Sequence, residues 1–170
     1  MNEMEIKAAI DATFDIKILL AHPNEKAFLV KVDEDGLKAA IFDAMFGEPV
    51  NEENIGEIPL EESTYILYDK TAADNDKPMN RVIPFVDGRR FLMSGVFVIV
   101  NKDSEGKYYS LTDEQADKYY KVFCNPQLFV VAFGKMLVLE MRNNTEINMV
   151  HVVDLNEELN NEEPGGEPNE

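Results

Sequence analysis

The chain is short of the groups that most chemistry needs. It has one cysteine, Cys124, no tryptophan and two histidines, His22 and His151. A single cysteine excludes an internal disulfide and fits a reducing compartment. A zinc site or a Ser–His–Asp triad needs histidines grouped with Cys, Asp or Ser, and no spacing here brings such partners together. Neither a glycine-rich phosphate loop nor a G-x-S-x-G elbow occurs. No apolar run approaches the roughly 18 residues that span a bilayer. The start of the chain carries acids where a signal peptide has a basic region, so the reading is cytoplasmic, with no membrane association. The sequence therefore predicts no catalytic set, no cofactor and no metal.

Bases are scarce as well. Sixteen Lys and Arg face 33 Asp and Glu, a formal net charge of -17. The excess is uneven: residues 1–66 hold 15 acids and 5 bases, residues 67–153 hold 11 of each, and residues 154–170 hold 7 acids and no base. Such a field repels nucleic acid and anionic membrane and favours basic protein partners. Solubility alone also accounts for acidity of this size.

What is present is an ordinary globular chain. Hydrophobic residues make up 45% of its 170 positions, enough for one domain with a proper core. A short helix or arm is predicted over 1–15, with Ile6, Ala9, Ile10 and Phe14 at helical spacing. Two strands follow, 16–22 and 26–32, joined at Pro23-Asn24 as a hairpin. Leu37, Ala40, Ile41, Ala44 and Met45 then form one helical stripe, with Asp35 as the expected N-cap and Gly47 as the stop.

Strands are predicted at 55–58 and 64–68, an exposed loop at 71–80, and one long strand at 89–100 with Gly95 as a bulge or close approach. Thr112 and Gln115 make a capping box that starts a helix at about Asp113, with Ala116, Tyr119, Tyr120 and Phe123 as its apolar stripe and Asn125-Pro126 as its end. Three strands close the fold at 128–133, 135–141 and 145–153, the last two turning at Asn143-Asn144. Over 155–170 the composition cannot support a core and predicts a disordered acidic tail. The expectation is an α+β domain over 16–154, a mostly antiparallel sheet with two main helices on one side.

The candidate sites each have a plainer explanation. Asp33-Glu34-Asp35-Gly36 fails as a calcium loop, because the ligand positions fall on Lys31 and Phe42. Asp69, Asp74 and Asp76 suit Asx turns better than a cation. Cys124 has no basic cluster to activate it. Asp87 to Arg90 reads as a turn, and Asn80-Arg81 has no role that spacing reveals. The remaining cluster is acidic: Asp33, Glu34, Asp43, Glu48, Glu52, Glu53, Glu57, Glu61 and Glu62. On one face, these carboxylates would present a phosphate-like array to a basic protein, such as a nucleic-acid-binding host enzyme.

Several strings resemble a small family without assigned activity that occurs in phages, prophages and integrative elements of Gram-positive bacteria. They are ILLAHP (18–23), LKAAIFDAMFG (37–47), Asn80-Arg81, Met93-Ser94-Gly95-Val96-Phe97 and Ser110 to Gln115, covering roughly 16–125. The chain departs from the pattern in a longer 70–80 loop and in having only Gly47 where a glycine pair is usual. The resemblance implies a bacterial host and an accessory protein of a mobile element. In that setting acidic proteins act as DNA mimics against restriction or CRISPR nucleases. Three expectations follow: a non-enzymatic, protein-binding inhibitor of that kind; an oligomerising or scaffolding module that binds through strand 91–100 and Tyr119/Tyr120; and an enzyme with a dispersed site near Asn80, Arg81 and Tyr108–Tyr109.

Overall fold

The computed structural model describes residues 2–6, 16–42, 50–143 and 146–155. The expectations for 7–15, for the helix end at Gly47, for Asn144 and for the tail beyond 155 lie outside these residues. Residues 3–6 form a helical turn, closed where Asn2 Oδ1 accepts from the Glu5 amide at 2.9 Å.

The chain builds a mostly antiparallel α+β fold around a central sheet. β1 (Ile16–Ala21) and β2 (Phe28–Val32) make the first hairpin. β3 (Ile55–Pro59) and β4 (Thr64–Asp69) make a second, and β7 (Phe97–Lys102) lies between β1 and β4. The order is β2-β1-β7-β4-β3, and short β8 (Tyr108–Tyr109) pairs with the end of β7.

Registry divides this sheet into two buried faces. Leu19, Ala21, Ile66, Phe97 and Ile99 lie opposite one another and point to one side. Leu20, Leu67 and Val98 point to the other, with Ile18 and Val100. Helix α1 (Glu34–Phe42) buries Leu37 and Ile41 against the second face. Helix α2 (Asp113–Phe123) buries Ala116, Tyr119 and Phe123 against the first. The two helices therefore sit on opposite faces, which corrects the one-sided expectation. β1 and β7 accordingly read as continuous apolar runs, the pattern of strands covered on both sides.

Local signals set the helix ends. The Thr112–Gln115 capping box forms in both directions. The cap of α1 is Asp33, not Asp35: its carboxylate accepts from the Gly36 amide at 2.7 Å and its carbonyl from Leu37 at 3.0 Å. Asp35 instead adds to the acids of the first turn, where the helix dipole favours them.

The predicted long strand 89–100 is two strands in different sheets. β6 (Arg90–Ser94) pairs with β5 (Met79–Pro84), and the chain turns at Gly95 to enter β7. Gly95 has φ +71°, and a Cβ there would meet the Ala72 Cβ at 3.1 Å, so both backbone and space call for glycine. The β5–β6 hairpin turns Ile83, Phe91 and Met93 into the core on the α2 side of the central sheet. Its other face, Val82 and Leu92, carries a separate antiparallel meander of β9 (Gln127–Ala132), β10 (Lys135–Asn143) and β11 (Glu146–Asp154) through Met136, Val138 and Val153.

Candidate functional site

Asn80 and Arg81, on β5, form the polar hub of the molecule. Arg81 is 1% exposed and Asn80 is fully buried. A guanidinium has five N–H donors, and each of these has an acceptor. Nε donates to the Asn125 carbonyl at 3.1 Å, Nη1 to the His22 carbonyl at 3.2 Å and to Asn80 Oδ1, and Nη2 to the Glu25 and Cys124 carbonyls at 2.8 and 3.3 Å. Asn80 Nδ2 donates to the Ala21 and Gly95 carbonyls at 2.9 and 2.7 Å. The pair ties the β1–β2 turn, the end of α2 and the β6–β7 corner to one point.

Among the described residues no carboxylate pairs with this guanidinium directly. Burial pushes the Arg81 pKa down to about 10, against the weaker pull of Cys124 and Glu140. Glu140 stands one residue removed, accepting from Asn125 Nδ2 at 3.2 Å. Carbonyls at the negative end of the α2 dipole serve as the counter-charge. Both side chains are spent on backbone, so a substrate has no access to them.

A cleft of about 170 Å³ is bounded by His22, Pro23 and Glu25, by Phe42, and by Asp69 and Lys77, and neither Asn80 nor Arg81 lines it. Two of its ionisable groups are engaged in fold geometry. Asp69 Oδ1 accepts from the Thr71 amide and hydroxyl at 2.8 and 2.7 Å, an Asx turn. His22 stacks on Phe28 with centroids 6.2 Å apart. A second, open hollow is lined by Asp33, Glu34, Lys107, Tyr108 and Tyr109 and includes neither Asn80 nor Arg81. The residues of the dispersed-site expectation are thus not brought together. Among the described residues no three of His, Cys, Asp and Glu gather as metal ligands.

The acidic candidates fall into two groups on two sides of the central sheet. On the α1 side, Asp33 caps the helix, Glu34 and Glu52 both contact Lys38 Nζ at 3.4 and 2.5 Å, and Glu57 takes Lys102 Nζ at 2.5 Å. The two glutamates hold the Lys38 amine above its usual pKa, the hydrogen bond it donates to Glu52 contributing most. On the α2 side, Glu61 pairs with Lys118, which holds its carboxyl below the usual range. Glu53 and Glu62 are exposed and show no ion pair among the described residues. Asp43 and Glu48 lie outside the described residues.

The other expected interface is buried. Phe91, Met93 and Val96–Val100 are core, and Tyr119 is 5% exposed, which leaves only Tyr120 at the surface. The exposed apolar surface lies instead on β9–β11. Met136 and Val138 point inward, so the alternate positions form the outer face. Registry places Leu128 and Val130 of β9, Leu137, Leu139 and Met141 of β10, and Ile147, Met149 and Val152 of β11 together there. None is buried, and Met149 and Ile147 are 60% and 55% exposed. A one-residue shift between Val138 and Leu139 keeps the β11 apolar residues on this face along its whole length. The signal was in the sequence, because all three strands are apolar at both alternating positions while only one face has anything to cover it.

No curated protein and no solved structure matches the chain. A family described as a domain of unknown function, DUF3846, matches residues 16–124, from the first residue of β1 to the cap of α2, and stops before the β9–β11 meander. The match spans well over half of the chain, from the β1–β2 hairpin through the Asn80-Arg81 hub to the end of α2, and the protein belongs to this DUF3846 family.

Proposed function

We propose that the protein is a non-enzymatic protein-binding module, acting in the bacterial cytoplasm as an accessory factor of a phage or mobile element. The observation that carries the binding reading is the outer face of β9–β11, eight apolar side chains in register with no charge among them. Contiguous apolar faces of this kind mark interaction surfaces on soluble proteins. The engagement of Asn80, Arg81 and Asp69 in backbone geometry supports the non-enzymatic part. The mobile-element setting rests on the resemblance over 16–125 alone.

The test uses the tagged chain as bait in host lysate, beside Val130→Lys and Met149→Lys. Both side chains are exposed, so the variants should fold. Retention of a discrete partner by the wild type and its loss in both variants is the expected result. A partner retained equally by all three would remove the face from consideration.

A second reading, the DNA mimic, draws on Glu34 and Glu52, which Lys38 fixes in place beside exposed Glu53. Mimicry needs such fixed carboxylates. It predicts capture of a nucleic-acid enzyme that fades steeply as salt rises and is lost on charge reversal at Glu52, Glu53 and Glu57. Capture by that triple variant at low salt would sink this reading.

A further inference from the structure

We infer that the outer face of β9–β11 docks on the same face of a second copy of this chain, giving a weak two-fold dimer. This deepens the protein-binding reading and rests on it. The first ground is the chemistry of the face. Its eight side chains are aliphatic or Met, with no group to select a partner by charge or hydrogen bond. A flat three-stranded face of this kind is covered by another sheet at about 10 Å, as in face-to-face sheet packing.

The second ground is the rim. Lys135 lies opposite Asp154 at one end of the sheet, and Arg142 stands 4.0 Å from Glu146 at the other. The first end thus carries one base and one acid, and the second carries Arg142 between Glu146 and Glu140, the latter 3.5 Å away. Under a two-fold operation either end of one copy meets both signs on the other, so the rim complements itself. The meander itself is poor in charge: residues 127–155 contain 3 acids and 2 bases in a chain with 33 and 16.

The third ground is position. α1 and its acids pack on one face of the central sheet, while the meander lies beyond the β5–β6 hairpin on the other. Docking through the meander keeps the α1-side acids of the two copies apart by layers of structure, which lessens the repulsion between two acidic bodies without abolishing it. The area sets the strength. Three strands about 4.8 Å apart and about nine residues long give a footprint on the order of 400 Å². Twice that is small for a specific interface, so the dimer forms at tens of micromolar rather than nanomolar.

Sedimentation equilibrium of the full chain, from roughly 5 to 500 µM and at roughly 0.05 and 0.5 M NaCl, tests this, the range bracketing the affinity expected of so small an interface. The mass should rise toward two chains with concentration. It should rise further with salt, which screens the repulsion between two acidic bodies. Val130→Lys and Met149→Lys, checked by circular dichroism for an intact fold, should weaken association at least about tenfold, since each would bury an unpaired amine. Glu53→Lys should leave it in place. A single-chain mass at the highest concentration overturns the dimer, and so does a dimer that both lysine variants preserve. If the wild type stays single but captures another protein that Met149→Lys loses, self-docking falls and the protein-binding reading stands.

Discussion

At the scale of the residue, Arg81 is the side chain on which the fold most depends. A buried cation without a carboxylate is unfavourable unless every donor is met. Here five donors meet five acceptors drawn from the β1–β2 turn, the end of α2 and Asn80. Lys has three donors on a flexible stem and cannot reproduce that planar fork. Arg81→Lys should therefore cost about 2–4 kcal/mol and Arg81→Met about 3–5 kcal/mol, read as urea midpoints. A near-neutral Arg81→Met would show that water satisfies the carbonyls instead. The pKa gives the sign of the pH effect. Lowered to about 10 by burial, it means the charged form is penalised below that value and the penalty eases as pH rises through it. None of this was legible in the sequence. A lone Arg in a turn-rich stretch looks exposed by default, and only the family resemblance drew attention to the Asn-Arg pair.

At the scale of the element, periodicity and capping carried well and topology did not. The hairpin over 16–32, the Thr112–Gln115 box and the meander strands follow from local pattern, and each is present. β5 was hidden because Asn80, Arg81 and Pro84 are poor strand residues, and what holds two of them in a strand is tertiary hydrogen bonding. In the sequence Gly95 reads as a bulge or a close approach within one strand, and the close approach is present, against Ala72. Gly95 is the corner at which the chain leaves one sheet for another. Gly95→Ala should cost about 1–3 kcal/mol, from the positive φ and from contact with Ala72. Adding Ala72→Gly removes the contact and leaves the φ strain, so the double variant should recover only part of the loss in thermal melts. Full recovery would show that crowding, and not backbone conformation, demands the glycine. The placement of the helices has a sequence signal: Ile18–Ala21 and Phe97–Val100 are apolar at both alternating positions, and strands of that kind need cover on both faces.

At the scale of the whole molecule, charge and apolar surface are segregated, and the two stability effects of charge have opposite signs. Lysine–carboxylate pairs such as Lys38–Glu52 and Lys102–Glu57 are partly exposed and worth about 0–1 kcal/mol each, and salt weakens them. Sixteen bases cannot neutralise 33 acids, however, and the excess repels itself throughout residues 1–66. The unpaired excess is larger than the paired set, so repulsion should win. Raising NaCl from roughly 0.02 to 0.3 M should lift the melting temperature by a few degrees, because the Debye length contracts from beyond 20 Å to about 6 Å. The double variant Glu53→Lys/Glu62→Lys should raise the melting temperature at low salt and flatten this dependence, since it converts two exposed acids without disturbing the pairs of Glu52, Glu57 and Glu61. A melting temperature that falls with salt in the wild type would mean that the lysine pairs hold more of the stability than their exposure implies. The acidic surface would then be a bonded part of the fold, with correspondingly less charge left over to present to a partner.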